Sequence, residues 1–469
     1  MLRLCYQFDI QNTIVRFELR KLFQKSSVIL KNRLTDSVLD KNIVDTENNS
    51  DIKKEFIKGS KFEIEVAEYL SSKQCLKDIK SMIPEKYTRK RYKYPDSQFV
   101  VDKDIAEELI SLIKPKLLED STCHIFEINP GPGAITEQLL QCDIKNLRIF
   151  ESDSNFISNL NVLSMLNKKT TPITQYNFLL TSALVYKDKF DNNGRFDSIM
   201  SDIQHKKWED SPAVKIIGVI PPAFRGGTDL VRYLIYNIIF QTGLVLYGRP
   251  ELFVVMQPSS YLQITSNNKD SHIVYRSSSV LFSLFFESEI LRKIPKKCVF
   301  PWSFRNSSKR LSPIHKILAT DKEFLYFVRV TPHADLLTKI KPELLKPLWY
   351  FLRHHMISRR NRVIETIENW IPGCGPRLIA EGITLFTEFG DLTPQEILHI
   401  FKLFASWPEF NSCPFLSSME TALLKMENPG CVDVLEDEDS EEVVEENGKT
   451  KDTTILCWEE ENCNVQRLV

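Results

Sequence analysis

Residues 127–133, Glu-Ile-Asn-Pro-Gly-Pro-Gly, are where the residue types of this chain point to a ligand. Glycines let a backbone approach a ligand closely, and a helix start just behind them presents N–H groups toward a polar or negative group. About twenty residues further on, Glu151 closes the apolar run Leu147-Arg148-Ile149-Phe150, where nucleoside-binding βαβ units place a carboxylate for ribose hydroxyls. The glycine turn alone also suits an ordinary strand-to-helix connection. With the distant acid it reads as a nucleoside pocket. Spacing does not separate a nicotinamide dinucleotide from S-adenosylmethionine, since both present adenosine. The chain lacks the third glycine of the dinucleotide fingerprint and has Ile135 and Thr136 in that region, which favours the methyl donor.

These residues need elements to hold them. Residues 125–128 read as an apolar strand, and Ile135, Leu139 and Leu140 follow at helical spacing, so the order is strand, tight turn, helix, second strand. That pattern predicts a mostly parallel, twisted sheet. The apolar run 280–286 reads as a further buried strand. Residues 336–407 read as mostly helical, with Arg353, Arg359, Arg360 and Arg362 on one basic helix that breaks at Pro372-Gly373-Cys374-Gly375-Pro376.

A chain of 469 residues, 42% hydrophobic and 10% aromatic, can bury a sizeable core in two or three domains. The net charge of -1 conceals an acidic end and basic internal patches. Ten cysteines are scattered without a Cys-x-x-Cys pair, so reduced thiols are expected rather than disulfides or zinc. His354-His355 is the one adjacent histidine pair, and neighbours on a helix point apart, so no metal site is expected. Neither internal repeats nor a Ser/His/Asp or Cys/His set argues for a hydrolase. No apolar run is long enough to cross a bilayer, and no membrane association is expected.

Near the amino terminus Arg3, Arg16, Arg20, Lys21, Lys25, Lys31 and Arg33 stand against Asp9 and Glu18, with Ile14, Val15, Phe17 and Leu19 between. Two readings stay open, an amphipathic import presequence and a solvated arm; the first implies a soluble matrix protein. Residues 42–58 are polar and read as a linker. Lys86, Arg89, Lys90, Arg91 and Lys93 alternate with Tyr87, Tyr92 and Tyr94, cations for phosphate and rings for unpaired bases, a pattern suited to single-stranded nucleic acid. A solvated strand edge is the plainer alternative. Acids crowd residues 433–446, and this run serves solubility more readily than it screens a basic groove. The domain boundaries read as 1–80 for presequence and flexible region, 81–334 for the α/β domain, 335–426 for a helical domain and 427–469 for an acidic disordered tail.

The order Phe99-Val100-Val101-Asp102, then residues 127–133, then Glu151-Ser152-Asp153, then Tyr176-Asn177-Phe178, then Ile-Ile-Gly-Val-Ile-Pro-Pro at 216–222 resembles the rRNA adenine dimethyltransferase family. The Asn-Pro-Gly-Pro-Gly turn and Pro301-Trp302-Ser303-Phe304 are most similar to its mitochondrial transcription factor B branch, second paralogue group. The resemblance covers roughly residues 87–407. It implies a Rossmann-like S-adenosylmethionine-dependent methyltransferase domain with a small C-terminal helical domain. The donor would then meet Gln98, Val100, Glu127, Asn129, Gly131, Gly133, Glu151 and Asn177.

The departures matter as much as the matches. Where active relatives read Asn-Leu-Pro-Tyr, the ends of the motif here are Val219 and Pro222, which offer no amide oxygen to the target amine and no ring to stack on the flipped adenine. The family's donor-adenine acid is Asn177, the leading glycine of the turn is Asn129, and the family's Gln-Asn pair matches Ser97-Gln98, displacing the glutamine by one. The branch implies a mitochondrial transcription initiation factor, in the matrix nucleoid, that joins the mitochondrial RNA polymerase, promoter DNA and a mitochondrial HMG-box factor. Arg359-Arg360 is similar to a double arginine in the family's helical domain and would join Lys86, Arg89, Lys90 and Arg91 in holding nucleic acid. The family implies the competing reading, dimethylation of small-subunit rRNA, with Glu151 on the ribose, Gly131 and Gly133 at the donor's amino-acid end and the Pro221 carbonyl helping to place the amine. A donor-binding scaffold without nucleic acid is a third reading.

Overall fold

The computed structural model describes residues 60–89, 92, 94–167, 171–222, 228–269, 272–303, 321 and 323–427. The candidate presequence, the linker, the acidic tail, Lys90, Arg91, Lys93 and Phe304 lie outside the described residues. In chain order come α1 (Lys61–Ser71), α2 (Gln74–Lys80), α3 (Glu85–Arg89), β1 (Phe99–Val100), α4 (Lys103–Leu118), β2 (His124–Ile128), α5 (Ala134–Gln141), β3 (Leu147–Phe150), α6 (Ser154–Leu166) and β4 (Ile173–Thr174). Next are α7 (Thr181–Asp191), α8 (Arg195–Met200), β5 (Val214–Val219), α9 (Thr228–Phe240), β6 (Pro250–Met256), α10 (Pro258–Ile264), α11 (Ser277–Phe285), β7 (Phe286–Pro295), β8 (Val299–Phe300) and β9 (Phe324–Pro332). The described residues end in helices: α12 (Leu336–Lys339), α13 (Pro342–His355), α14 (Val363–Glu368), α15 (Gly375–Ala380), α16 (Pro394–Ser406) and α17 (Pro414–Glu427).

Seven strands form one sheet in the order β4-β3-β2-β5-β6-β9-β7. The first five run parallel, and β9 and β7 add antiparallel pairs at the far side. The expectation of a mostly parallel sheet therefore describes β4 to β6. Every residue of β2, β5 and β6 is buried, as central strands covered on both faces require. Alternation along a strand then feeds two cores. Ile125, Ile217 and Phe253 pack with α1, α2, α4, α5 and α6 on one face, while Phe126, Ile216, Leu252 and Val254 pack with α9, α11, α13 and α16 on the other. The C-terminal helices extend this second core, with Trp349, Phe351, Phe389, Phe404 and Phe415 continuous with the sheet side chains.

Three expectations are corrected. Residues 61–80, placed in a flexible region, form α1 and α2, because Phe62, Val66, Leu70, Leu76 and Ile79 recur at helical spacing and bury against the sheet. The run 280–286 is helical up to Phe285; α11 is packed between the sheet and the C-terminal helices, so it is apolar nearly all round and shows no period to betray it. Arg359, Arg360 and Arg362 do not lie on one helix with Arg353. Helix α13 stops at His355, and Arg359-Arg360 sit in the connection before α14.

Strands β2 and β5 are neighbours, and the chain leaves β2 toward β3 but leaves β5 toward β6, in opposite directions. In an open parallel sheet this is the switch point, and the crevice beyond the carboxyl ends of β2 and β5 is where ligands bind. Both the glycine turn after β2 and the Ile-Pro-Pro segment after β5 fall at this crevice.

Candidate functional site

The turn after β2 alternates left-handed residues with prolines: Asn129 has φ 51°, Gly131 φ 58° and Gly133 φ 94°. Gly131 tolerates no side chain, because a Cβ there would lie 2.2 Å from the Phe99 ring. The Gly131 N–H donates to Glu151 Oε2 at 2.9 Å, and the Asp153 N–H donates to Oε1 at 2.8 Å. Glu151 is thus pinned by backbone from both sides and is 0% exposed. Burial is the chief cause that pushes its carboxyl up to about 7. Glu127 is fully buried as well: Thr136 Oγ1 donates to its Oε1 at 3.0 Å, Oε2 has no partner among the described residues, and desolvation raises the group to about 8.

Asp153 caps α6 by accepting the Asn155 N–H, and it also receives the Tyr87 hydroxyl at 2.9 Å and the Lys86 ammonium at 2.6 Å. These contacts tie α3 to the donor side of the crevice. Tyr87 is 4% exposed and stacks parallel to Phe156, so it is no free platform for a base. Lys86, expected on nucleic acid, is paired with Asp153, and Arg89 is paired with Glu85 at 2.9 Å. Tyr94 is exposed, whereas Tyr92 is half-buried with its hydroxyl on the Lys86 carbonyl.

The remaining expected donor residues serve several purposes. Gln98 is buried and donates from Nε2 to the Pro301 carbonyl at 2.7 Å, and Val100 pairs with Val299 in a two-stranded ribbon. Between them Phe99 fills the space over Gly131, and the sequence reading missed its part in the site. Asn177 accepts the Leu179 N–H at 3.1 Å and caps its own short turn. Asn129 crosses the crevice: its Nδ2 donates to the Val219 carbonyl at 3.0 Å. The Val219 side chain is buried in the core with Ile217 and Phe253, Pro221 is buried and Pro222 half-buried. The hydrogen bonds therefore join Gly131 to Glu151 and Asn129 to Val219; Gln98, Val100 and Asn177 bond elsewhere.

The fit of S-adenosylmethionine differs along the crevice. Glu151 at the end of β3 and the glycine turn offer a carboxylate and a close backbone approach, which suit the ribose end. At the leading position of the turn stands a carboxamide already bonded to β5.

In the helical part, the connection carrying Arg359-Arg360 is clamped by backbone and side-chain bonds. Asn361 Nδ2 donates to the His355 carbonyl, the Phe389 N–H to the Asn361 carbonyl and the Gly390 N–H to the Arg359 carbonyl, each at 2.9 Å. Arg360 is exposed, and the Arg362 guanidinium lies 5.5 Å over the ring of Phe386, which is 74% exposed. Elsewhere Cys75, Asp102 and Asp104 come together, with the Lys73 ammonium 2.9 and 2.8 Å from the two carboxylates. No helix among the described residues is long and apolar enough to cross a membrane.

A sheet with five parallel strands and two antiparallel ones, a glycine turn, a buried acid after β3 and a crevice between β2 and β5 defines a Rossmann-like methyltransferase fold. The chain belongs to the ribosomal RNA adenine dimethylase family, whose sequence pattern matches residues 87–406. It is 29% identical over 435 residues to dimethyladenosine transferase 2, mitochondrial, of Drosophila melanogaster, spanning 83% of this chain and 95% of that one. It is 25% identical over 279 residues to the human protein of the same name, spanning 57% of this chain and 66% of the relative. A dimethyladenosine transferase structure from Plasmodium falciparum aligns with a TM-score of 0.41 at 15% identity, covering 65% of this chain and 97% of that one.

Proposed function

We propose that this chain is a mitochondrial transcription initiation factor of the matrix nucleoid, which assists the mitochondrial RNA polymerase in melting promoters together with an HMG-box factor, and which has given up efficient methyl transfer. The observation that carries this reading is the β5 end of the crevice. A flipped adenine needs an acceptor for its amino hydrogens and a ring to stack on. Val219 points its apolar side chain into the core, Pro222 has no aromatic face, and the Val219 carbonyl is occupied by Asn129. Binding to melted DNA would draw instead on Arg360, with Arg362 on the same connection and Phe386 on the segment bridged to it at Arg362 and Glu388 offering a cation and a ring. Promoter-dependent run-off transcription with purified mitochondrial polymerase and HMG-box factor tests this. Full-length product that depends on this chain is expected, and its absence overturns the proposal.

The family description and the names of the mitochondrial relatives favour a second reading, dimethylation of adenines in ribosomal RNA, for which the small-subunit rRNA is the substrate to test. There Glu151 would hold the donor's ribose, Gly131 and Gly133 would approach its amino-acid end, and the Pro221 carbonyl would receive the target amine; the donor supplies the methyl group. Efficient methylation of the rRNA hairpin by wild-type protein would promote this reading.

A further inference from the structure

We infer that Asn129 is a staple across the switch-point crevice, and that this side chain, rather than the acid Glu151, decides how tightly the fold takes S-adenosylmethionine. Strands β2 and β5 already touch below the crevice: a Cβ on Gly218 would lie 2.1 Å from the Ile128 carbonyl oxygen. Asn129 and Val219 are the next residues on the two strands, at the point where paired strands must part to admit a ligand. Here the Asn129 carboxamide spans that point with a 3.0 Å bond and is 4% exposed. The backbone at 129 is left-handed, which glycine, asparagine and aspartate tolerate and most other residues do not. Asparagine therefore keeps the turn's shape while adding a side chain at the mouth of the crevice.

Two consequences follow. A donor entering between the strand ends must break a buried amide–carbonyl bond or bind beside it, so affinity falls. The staple also ends on a main-chain carbonyl, so no side chain placed at 219 releases it, and restoring a target-base side chain there leaves the donor side unchanged.

This inference rests on the reading that the donor site is not used at full strength, and its test contains neither polymerase nor RNA. A failure of run-off transcription would leave it standing. S-adenosylmethionine and S-adenosylhomocysteine are titrated calorimetrically into the full chain as wild type, Asn129→Gly and Asn129→Asp, with circular dichroism and thermal unfolding as controls of the fold. Glycine keeps the left-handed turn and removes the staple, and it is expected to tighten donor binding about tenfold or more, or to make it measurable where wild type shows none. Aspartate keeps size and backbone preference and, ionised at high pH, turns an acceptor oxygen toward the Val219 carbonyl; under that condition it is expected to tighten binding of S-adenosylhomocysteine, which carries no sulfonium charge, and it serves if the glycine variant does not fold. Equal or weaker donor binding in the folded variants overturns the inference.

Discussion

The two walls of the crevice differ in how many tasks each residue performs. On the β2 and β3 wall, Gly131 makes room for Phe99 and binds Glu151, Glu151 anchors the start of the segment leading to α6, and Asp153 caps that helix while holding Tyr87 and Lys86. On the β5 wall, the side chains at 219 and 222 make no hydrogen bond that the fold needs; one fills core and the other is half-buried. The difference teaches that a donor motif can persist for structural reasons. Its presence is weak evidence for the chemistry, whereas the side chains at 219 and 222 take no part in the hydrogen-bond frame and report on the chemistry more directly.

If the donor wall is mainly structural, damage there must appear first as lost stability. Gly131→Ala puts a Cβ into the Phe99 ring at a residue with φ 58°, combining overpacking with backbone strain. A destabilisation of roughly 3 kcal/mol or more is expected by urea unfolding. A loss below about 1 kcal/mol would show that Phe99 yields easily and that the glycine is there for a ligand.

Glu127 sharpens the same point through pH. Its carboxyl ionises at about 8 in the folded chain against 4.5 for the ordinary group, so the native state holds a proton that the unfolded state has released. The stability this gives is complete below 4.5 and is lost as pH rises through about 8. Glu127→Gln cannot ionise and can still accept from Thr136. It is expected to match wild type near pH 4 and to exceed it at pH 9 by an amount on the order of a few kcal/mol. Unfolding midpoints across pH decide it. Some slope remains in the variant, because Glu151 is raised in the same direction. Parallel wild-type and variant curves would mean that Glu127 is solvated after all.

The β5 wall is probed by Val219→Asn, which restores the amide that active relatives carry. Position 219 is buried among apolar side chains, so the amide is expected to cost about 1–3 kcal/mol, read by the same unfolding assay. Methylation of the rRNA hairpin should not rise, since Asn129 still holds the carbonyl. A neutral, methylating variant would mean that the wall is open and the comparison wrong.

The parts of this site that were legible in the sequence are local. The strand, glycine turn and helix around residues 125–140 follow from periodicity and two glycines, and Glu151 follows from its distance to them. What was not legible depends on contacts far apart in the chain. Tyr87 reads as a stacking ring beside cations, yet its hydroxyl finds Asp153, 66 positions away, and the ring is buried. Helix α11 conceals its period because both faces are covered. The Arg359-Arg360 segment has helical composition, but Asn361, Phe389 and Gly390 draw it into a turn through bonds that no local pattern announces.

The smallest expected effect separates two cationic regions that the sequence treats alike. A cation already paired with a buried acid gives up little counterion when nucleic acid arrives, while an exposed one contributes a whole phosphate contact. Lys86 lies 2.6 Å from Asp153, whose side chain is largely buried, and Arg360 is exposed on a clamped turn. Arg360→Ala is therefore expected to lower the log–log salt slope of single-strand binding by about 0.7, and Lys86→Ala to change it by much less. Fluorescence anisotropy over a salt series reads both. A larger change at Lys86 would mean that its pairing with Asp153 opens on binding and that α3 swings from the donor wall toward the nucleic acid, which would make the two sides of the crevice energetically coupled rather than separate.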